Sequence, residues 1–534
     1  MKSSRRPCEF VAVWFFLGLA CYSLAQDAAP EESLADRARK VRKDTTNEVK
    51  MTDADTKKLF ESVDRIFAFA VEDTGMPKRA VVKRQLVSKT DAEKYVKGRL
   101  AKEEYTQRFA QEELSMKKLG FLPRDFNLKE FLVKSTGQQV AGYYDEETKT
   151  ISMLNWVPPD RQEPILAHEL THALQDQNYN LSKWMKAAPR GAGDEAKGGA
   201  VDDSAIARKA VVEGQAMVVY MDYLLKPLGR SLENTPGLIY QMEEPMVKGA
   251  IDSQLMHDAP MIMREMGTFS YQSGLIFEGE LLHKGGKNMA FAGAFARPPR
   301  SSHEVLQPDT YIRGEKLAPV RIPDMSEVLN NQYEVYDSGG IGEIDVRALM
   351  RQYGEKQRIA DDVSSAWQGG AYVTFRRKDK VVSEATATTA DLALLYISRW
   401  KTPQAAEQFA QFYTDAVSDR YGSAKAEQLP ACAETKCPVS MAKITTEEGM
   451  VIIEHWADNS VLVTESFDPA TAAKLGAALR DGAGTAHAEN LPLQEEIGLR
   501  LLEIPAFQAF ARQIGQNINE AVRRGLTRIV GSGQ

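Results

Sequence analysis

The chain has 534 residues, 43% hydrophobic and 26% charged, which is enough for two or three globular domains with their own cores and excludes a disordered protein. Its formal net charge is -7. The first 25 residues carry Lys2, Arg5, Arg6 and Glu9, so a chain without them would carry -9, a surface that does not attract nucleic acid.

In chain order, Lys2, Arg5 and Arg6 precede an apolar run from Phe10 to Leu24, and Ser23-Leu24-Ala25 places small residues at the -3 and -1 positions of a cleavage site. This is the pattern of a secretory signal peptide over residues 1–25, which implies export to a periplasm or the exterior. The apolar run is shorter than the ~20 residues that span a bilayer, so no stable membrane insertion is expected once the signal is removed. Two of the four cysteines, Cys8 and Cys21, lie in that segment; Cys432 and Cys437 remain and are expected to form one short-range disulfide.

Residues 26–55 are rich in acidic and basic side chains without an apolar stripe, as in a solvated linker or pro-segment. From about 57 to 135, Leu59, Val63, Ile66 and Phe67 fall at helical spacing and predict mainly helix. Val140–Tyr144 and Thr150–Leu154 flank a polar turn and predict a β-hairpin, with Gly142 allowing close backbone approach by an extended peptide. A helix is expected from about Glu163, a Gly- and Asp-rich surface loop over 187–203, and further helices from about Ser204 to 295. Beyond about 340, Tyr372–Phe375, Leu392–Ile397, Val451–Glu454 and Val461–Glu465 read as strands, and Pro403–Tyr413 as a helix capped by Thr402. A hairpin is expected at Asp458-Asn459-Ser460. In the tail, Phe507, Phe510, Ile514, Ile518, Val522, Leu526 and Ile529 repeat at steps of three and four, an amphipathic helix expected to dock on its own protein.

The chemistry is concentrated in Pro164-Ile165-Leu166-Ala167-His168-Glu169-Leu170-Thr171-His172. On a helix, His168 and His172 lie one turn apart on one face and can direct their rings at one ion. Glu169 is rotated about 100° from His168 and borders the ion without binding it. A catalytic zinc site requires three protein ligands and an open position, so a third ligand must come from elsewhere. Glu213 is the best candidate, a lone acid in the apolar run Ala210–Met217, with Gly214 and Ala216 small enough for close approach to the histidine helix. The alternative is a solvent-facing Glu213 paired with Lys209; Glu278, Glu280, His283 and His303 are the competing ligands. For the oxyanion that forms in such a site, Tyr271 and His303 are the candidate donors.

HELTHALQDQ at 168–177 with VVEGQA at 211–216 resembles the gluzincin branch of zinc metallopeptidases. YQSGLIFEGELLHKGG at 271–286 and AFARPPRSSHEVLQP at 294–308 resemble segments of exported bacterial and archaeal proteins that share the first motif. The resemblance covers about 140–312. It implies a thermolysin-like zincin fold, one catalytic zinc ion on His168, His172 and Glu213, Glu169 as general base, and a peptide or protein substrate. The chain departs from thermolysin in spacing, since forty residues separate His172 from Glu213.

The expectation is therefore an α+β protein: a mainly helical zincin-like domain with a small β-sheet over 56–335, an α+β accessory domain over 336–485, and a helical tail over 486–534. A different class of function is a non-catalytic zinc-containing envelope protein that uses the same fold as a scaffold for peptides or proteins. Glu169 argues against it, because a purely structural site gains nothing from a free acid beside the ion.

Overall fold

The computed structural model describes residues 51–88, 90–91, 104–135, 142–187, 201–251, 254–317, 320, 322–379, 386–427, 437–482 and 505–531. The expected signal peptide, most of the 26–55 segment, the bulk of the 187–203 loop and Cys432 lie outside them; Cys437 is disulfide-bonded. The architecture is α+β, with a helical part carrying a three-stranded sheet and a later part built on a seven-stranded sheet.

Helix α1, Asp53–Thr74, starts at a capping box, in which the Thr52 hydroxyl accepts from the Asp55 N–H and Asp55 reaches back to Thr52 N–H. It ends at Gly75, whose φ of 71° belongs to the left-handed region. Leu59, Val63, Ile66 and Phe67 are buried as their spacing predicts. The 57–135 stretch is not all helix, however: Lys83–Val87 is a strand, β1, followed by α2, Glu104–Leu119, and α3, Leu128–Ser135. Five residues leave too little periodicity to read, and β1 exists because it pairs in parallel with a strand about 65 residues away.

The hairpin forms from β2, Tyr143–Asp145, and β3, Thr150–Leu154, in the order β1-β3-β2. Its turn closes on Asp145, which accepts from the N–H groups of Glu147 and Thr148, and on Lys149 at φ 57°. The close approach at Gly142 is to the chain's own β3 and not to a peptide, since a Cβ there would lie 2.7 Å from the Ser152 carbonyl oxygen. Helix α4, Pro159–Tyr179, carries the two histidines, and α5, Val201–Leu225, carries Glu213. After α6, Leu238–Ile251, comes the long α7, Met261–Lys287, which runs into a π-helical turn at Asn288–Gly293.

The seven-stranded sheet has the order β4-β5-β6-β10-β9-β8-β7, from β4 (Tyr333–Gly340), β5 (Trp367–Arg377), β6 (Leu392–Trp400), β7 (Ala424–Ala426), β8 (Ser440–Thr446), β9 (Gly449–His455) and β10 (Ser460–Phe467). The four expected strands are β5, β6, β9 and β10; β4, β7 and β8 were not expected. The β9–β10 hairpin turns at Asn459, φ 62°. Both faces of the sheet are covered: alternate residues Leu394 and Tyr396 join the main core, while Ala393 and Leu395 join a second core under the helix Pro469–Gly482. Thr402 caps the helix Pro403–Arg420 by accepting from Ala405 N–H.

The boundary expected at 335/336 falls inside β4, and the described residues from 51 onward form one compact unit. The main core runs unbroken from Leu59 to Leu526. Buried polar contacts join the two parts as well. Glu265 on α7 bonds Arg347 at 2.6 Å and also Arg351, both on the helix Glu343–Gln352, and Lys118 on α2 bonds Glu448 at 3.1 Å. The C-terminal helix Pro505–Gly531 docks on α6, α7 and α3 and buries Phe510, Ile514, Ile518, Val522 and Leu526.

Candidate metal centre

Helix α4 is held from both sides. Leu166, Ala167, Leu170, Ala173 and Leu174 are buried in the main core, and Asp176 accepts from the Tyr144 hydroxyl at 2.8 Å and from Lys149 Nζ at 2.5 Å, which ties the hairpin to the helix. A helix clamped in this way has one rotational setting, and the face bearing His168 and His172 points at α5.

There, Glu213 meets both histidines. His168 Nε2 lies 3.1 Å from His172 Nε2 and 3.2 Å from Glu213 Oε2, and His172 Nε2 lies 3.3 Å from the same oxygen. His168 and Glu213 are each 3% exposed. Among the described residues this is the one group of three or more His, Cys, Asp or Glu side chains whose donor atoms converge closely enough for a metal ion.

Glu213 is not solvent-facing, yet it makes the Lys209 contact as well as facing the histidines. Its Oε2 faces the histidines while Oε1 accepts from Lys209 Nζ at 2.6 Å, so the Lys209 pair is part of a buried site and not a surface pair. Burial alone would raise the Glu213 carboxyl, but Lys209 and His172 together hold it well below the ordinary range. It is a carboxylate, and Lys209 reserves one of its oxygens.

The close approach of α5 is to α7 and not, as its small residues suggested, to the histidine helix. A Cβ on Gly214 would lie 2.3 Å from the Gly274 oxygen, and one on Gly274 would lie 2.4 Å from the Ala210 oxygen. Helices α5 and α7 therefore touch backbone to backbone at the turn that carries Glu213.

Glu169 is half-buried, and its Oε2 accepts the Tyr144 N–H at 2.8 Å. It is near enough for its charge to act on both His172 and Tyr271. Tyr271, on α7, stacks on His168 with ring centroids 6.3 Å apart and is buried. Burial raises its hydroxyl well above the ordinary range, and the charge of the Glu213 carboxylate raises it further.

The competing ligands are elsewhere. His303 bonds Glu343 at 2.5 Å, Glu280 pairs with Lys284 and Tyr240, and His283 is exposed. Glu278 is fully buried, neither of its oxygens has a hydrogen-bond partner among the described residues, and burial pushes its carboxyl well above the ordinary range.

Sequence reasoning missed two glutamines. His172 Nδ1 is 2.9 Å from Gln175 Oε1, and Gln175 Nε2 donates to Val212 O and to Gln215 Oε1, both at 3.0 Å. Gln215 Nε2 donates to Ala290 O at 2.8 Å and Phe291 O at 3.1 Å. The available signal was position: Gln175 stands three residues after His172, and Gln215 two after Glu213.

A family model described as a domain of unknown function (DUF8575) matches residues 331–474, which covers all seven strands of the larger sheet and none of the candidate centre. No curated protein and no solved structure matches the chain. Among the described residues no helix is long and apolar enough to cross a membrane.

Proposed function

We propose that this chain is an exported zinc-dependent metallopeptidase of the gluzincin type, with His168, His172 and Glu213 as ligands, Glu169 as general base and a thermolysin-like arrangement of its helical part. One observation carries the reading: three donor atoms on two helices form a nearly equilateral triangle with edges of 3.1, 3.2 and 3.3 Å. In a tetrahedron with zinc–ligand distances of about 2.0–2.1 Å, the edges are about 3.3 Å. A structural site would close the fourth position with another protein group, and no fourth His, Cys, Asp or Glu joins the three among the described residues.

Hydrogen-bond accounting supports a cation at the centre. Three lone-pair-bearing atoms at these separations repel one another unless something positive lies between them. A proton on one ring satisfies one edge; an ion near the centre satisfies all three. Bidentate binding by Glu213 is opposed by Lys209, which holds Oε1.

A bound zinc ion lowers the pKa of its water and polarises a carbonyl. Glu169 would take the proton from that water and pass it to the leaving amine. Its carboxylate is oriented by the Tyr144 N–H, so the base and strand β2 are fixed relative to each other. β2 is an edge strand, and an extended peptide or protein segment pairing with its outer side would compete with Glu169 for the Tyr144 N–H. Tyr271, buried and stacked on His168, is the candidate hydroxyl donor for the oxyanion. The assignment to export rests on the N-terminal sequence pattern.

The test is Glu169→Gln assayed on a mixed peptide library beside the parent. The proposal expects hydrolysis in the parent and a loss of at least about a hundredfold in the variant, with bound zinc unchanged. Equal turnover by the two removes Glu169 as the base; no turnover by a zinc-loaded parent favours a peptide-binding scaffold.

A further inference from the structure

Two buried glutamines on different helices form a chain that starts at His172 and ends on the π-helical turn, and its polarity can be worked out from the far end. Gln215 contacts two backbone carbonyls, Ala290 O and Phe291 O, at 2.8 and 3.1 Å. Carbonyl oxygens only accept, so the Gln215 atom facing them is the amide nitrogen, and its oxygen faces Gln175. Gln175 in turn meets that oxygen and the Val212 carbonyl, both at 3.0 Å, so it presents its own nitrogen to them and its oxygen to His172. An amide oxygen 2.9 Å from His172 Nδ1 requires a proton on that nitrogen. The neutral ring then carries its lone pair on Nε2, the atom that faces His168 and Glu213.

We propose that Gln175 and Gln215 are positioning residues that lock His172 in the Nδ1–H tautomer and fix its ring plane, so that Nε2 is ready to bind a metal ion; as a statement about metal binding, this rests on the zinc reading above. The Ala290 and Phe291 carbonyls can accept from a side chain because the π-helical turn Asn288–Gly293 departs from the regular i to i-4 ladder. His168 has no comparable support, since its Nδ1 is buried with no hydrogen-bond partner among the described residues. The orientation of the donor triangle therefore rests on His172 and on the amide chain behind it. Both glutamines are 0% exposed, as expected for groups whose hydrogen bonds are all made inside the protein.

The test uses the full chain as wild type, Gln175→Met and Gln215→Met, which preserve volume and remove the amide. Gln162→Met is the control, because Gln162 is a buried glutamine that bonds Leu154 and Val157 and has no link to the centre. Zinc affinity is measured by competition with a chelator of known affinity. The His172 tautomer of the metal-free protein is read from histidine 15N chemical shifts at a pH where the ring is neutral, with His172→Ala to assign the signal. The proposal expects Nδ1–H in wild type, a mixture of tautomers in Gln175→Met, and zinc binding weakened about 10–100-fold in both variants. The control stays within twofold of wild type.

An Nε2–H tautomer in wild type, or wild-type zinc affinity in both variants, overturns it. Because the wild-type tautomer needs neither glutamine variant, the proposal remains decidable if those two substitutions prevent folding. A wild type that takes up no zinc overturns the metallopeptidase reading, while the 15N measurement still decides whether the amide chain sets the tautomer.

Discussion

Replacing Gly214 by Ala tests the packing that delivers Glu213. The added Cβ would lie 2.3 Å from the Gly274 oxygen, whereas ordinary contact begins near 3.4 Å, so α5 and α7 must separate locally by about 1 Å. The nearest atoms are backbone atoms of Gly274 and the Glu278 Cγ, so no flexible side-chain tip can swing away. Overpacking of this kind costs about 1–3 kcal/mol. Alanine returns about 0.5–1 kcal/mol of helix propensity, which leaves a net destabilisation of about 0–2.5 kcal/mol. A shift of about 1 Å is also half a zinc–ligand bond, so metal affinity should fall with stability. Urea midpoints and chelator competition on wild type and Gly214→Ala measure both. Gly237→Ala, where the Cβ meets nothing within 4 Å, is the control and should be neutral. A Gly214→Ala protein as stable as wild type, with unchanged zinc affinity, refutes the claim that backbone contact between these helices sets the site.

Other expectations concern charge. Glu265→Ala leaves Arg347 and Arg351 partly buried without their carboxylate and should lower stability by about 2–4 kcal/mol in urea titrations, with Arg347→Lys milder. Asp345 is pushed up to about 7, by burial and then by Asp203, itself raised to about 6. A carboxyl raised in the folded state binds its proton more tightly there than when unfolded, so its contribution is greatest below pH 4 and is lost as pH rises to about 7. Asp345→Asn keeps an acceptor for the Gly342 N–H and removes the titration. Its stability relative to wild type should therefore increase from pH 4.5 to 7.5, and a difference that is flat across that range contradicts the assignment. Lys209→Met releases Glu213 Oε1 and exposes the buried carboxylate to its full desolvation cost, so metal-free stability should fall by more than the ~0.5 kcal/mol of a surface pair.

What the sequence made legible follows from how local each signal is. His168 and His172 converge because four residues are one helical turn, a property of the backbone alone. Glu213 was legible as an acid in an apolar run, since such an acid must find positive partners, but not which helix its neighbouring glycine would touch. The tail helix was read from period alone and docks through Phe510, Ile514, Ile518, Val522 and Leu526, while the Phe507 and Ile529 side chains lie outside the described ones. Strands β1, β4 and β7 were missed because pairing with distant residues, and not their own pattern, makes them strands, β7 being three exposed residues at a sheet edge; β8 pairs with β9 directly after it but is mostly part-exposed, which leaves no clean alternation to read. The position 335/336, expected as a boundary, lies inside β4, and one core continues across it. Gln175 and Gln215 were passed over because amides carry no charge to flag them, and their partners lie 37–76 residues away.

The central claim is a metal ion held by His168, His172 and Glu213. Elemental analysis of the protein, purified with zinc available and dialysed against metal-free buffer, tests it most directly when run beside His168→Ala, Glu213→Ala and Glu169→Gln. One zinc per chain is expected in wild type and in Glu169→Gln, and little or none in the two ligand variants. Full zinc in His168→Ala, or none in wild type, contradicts it.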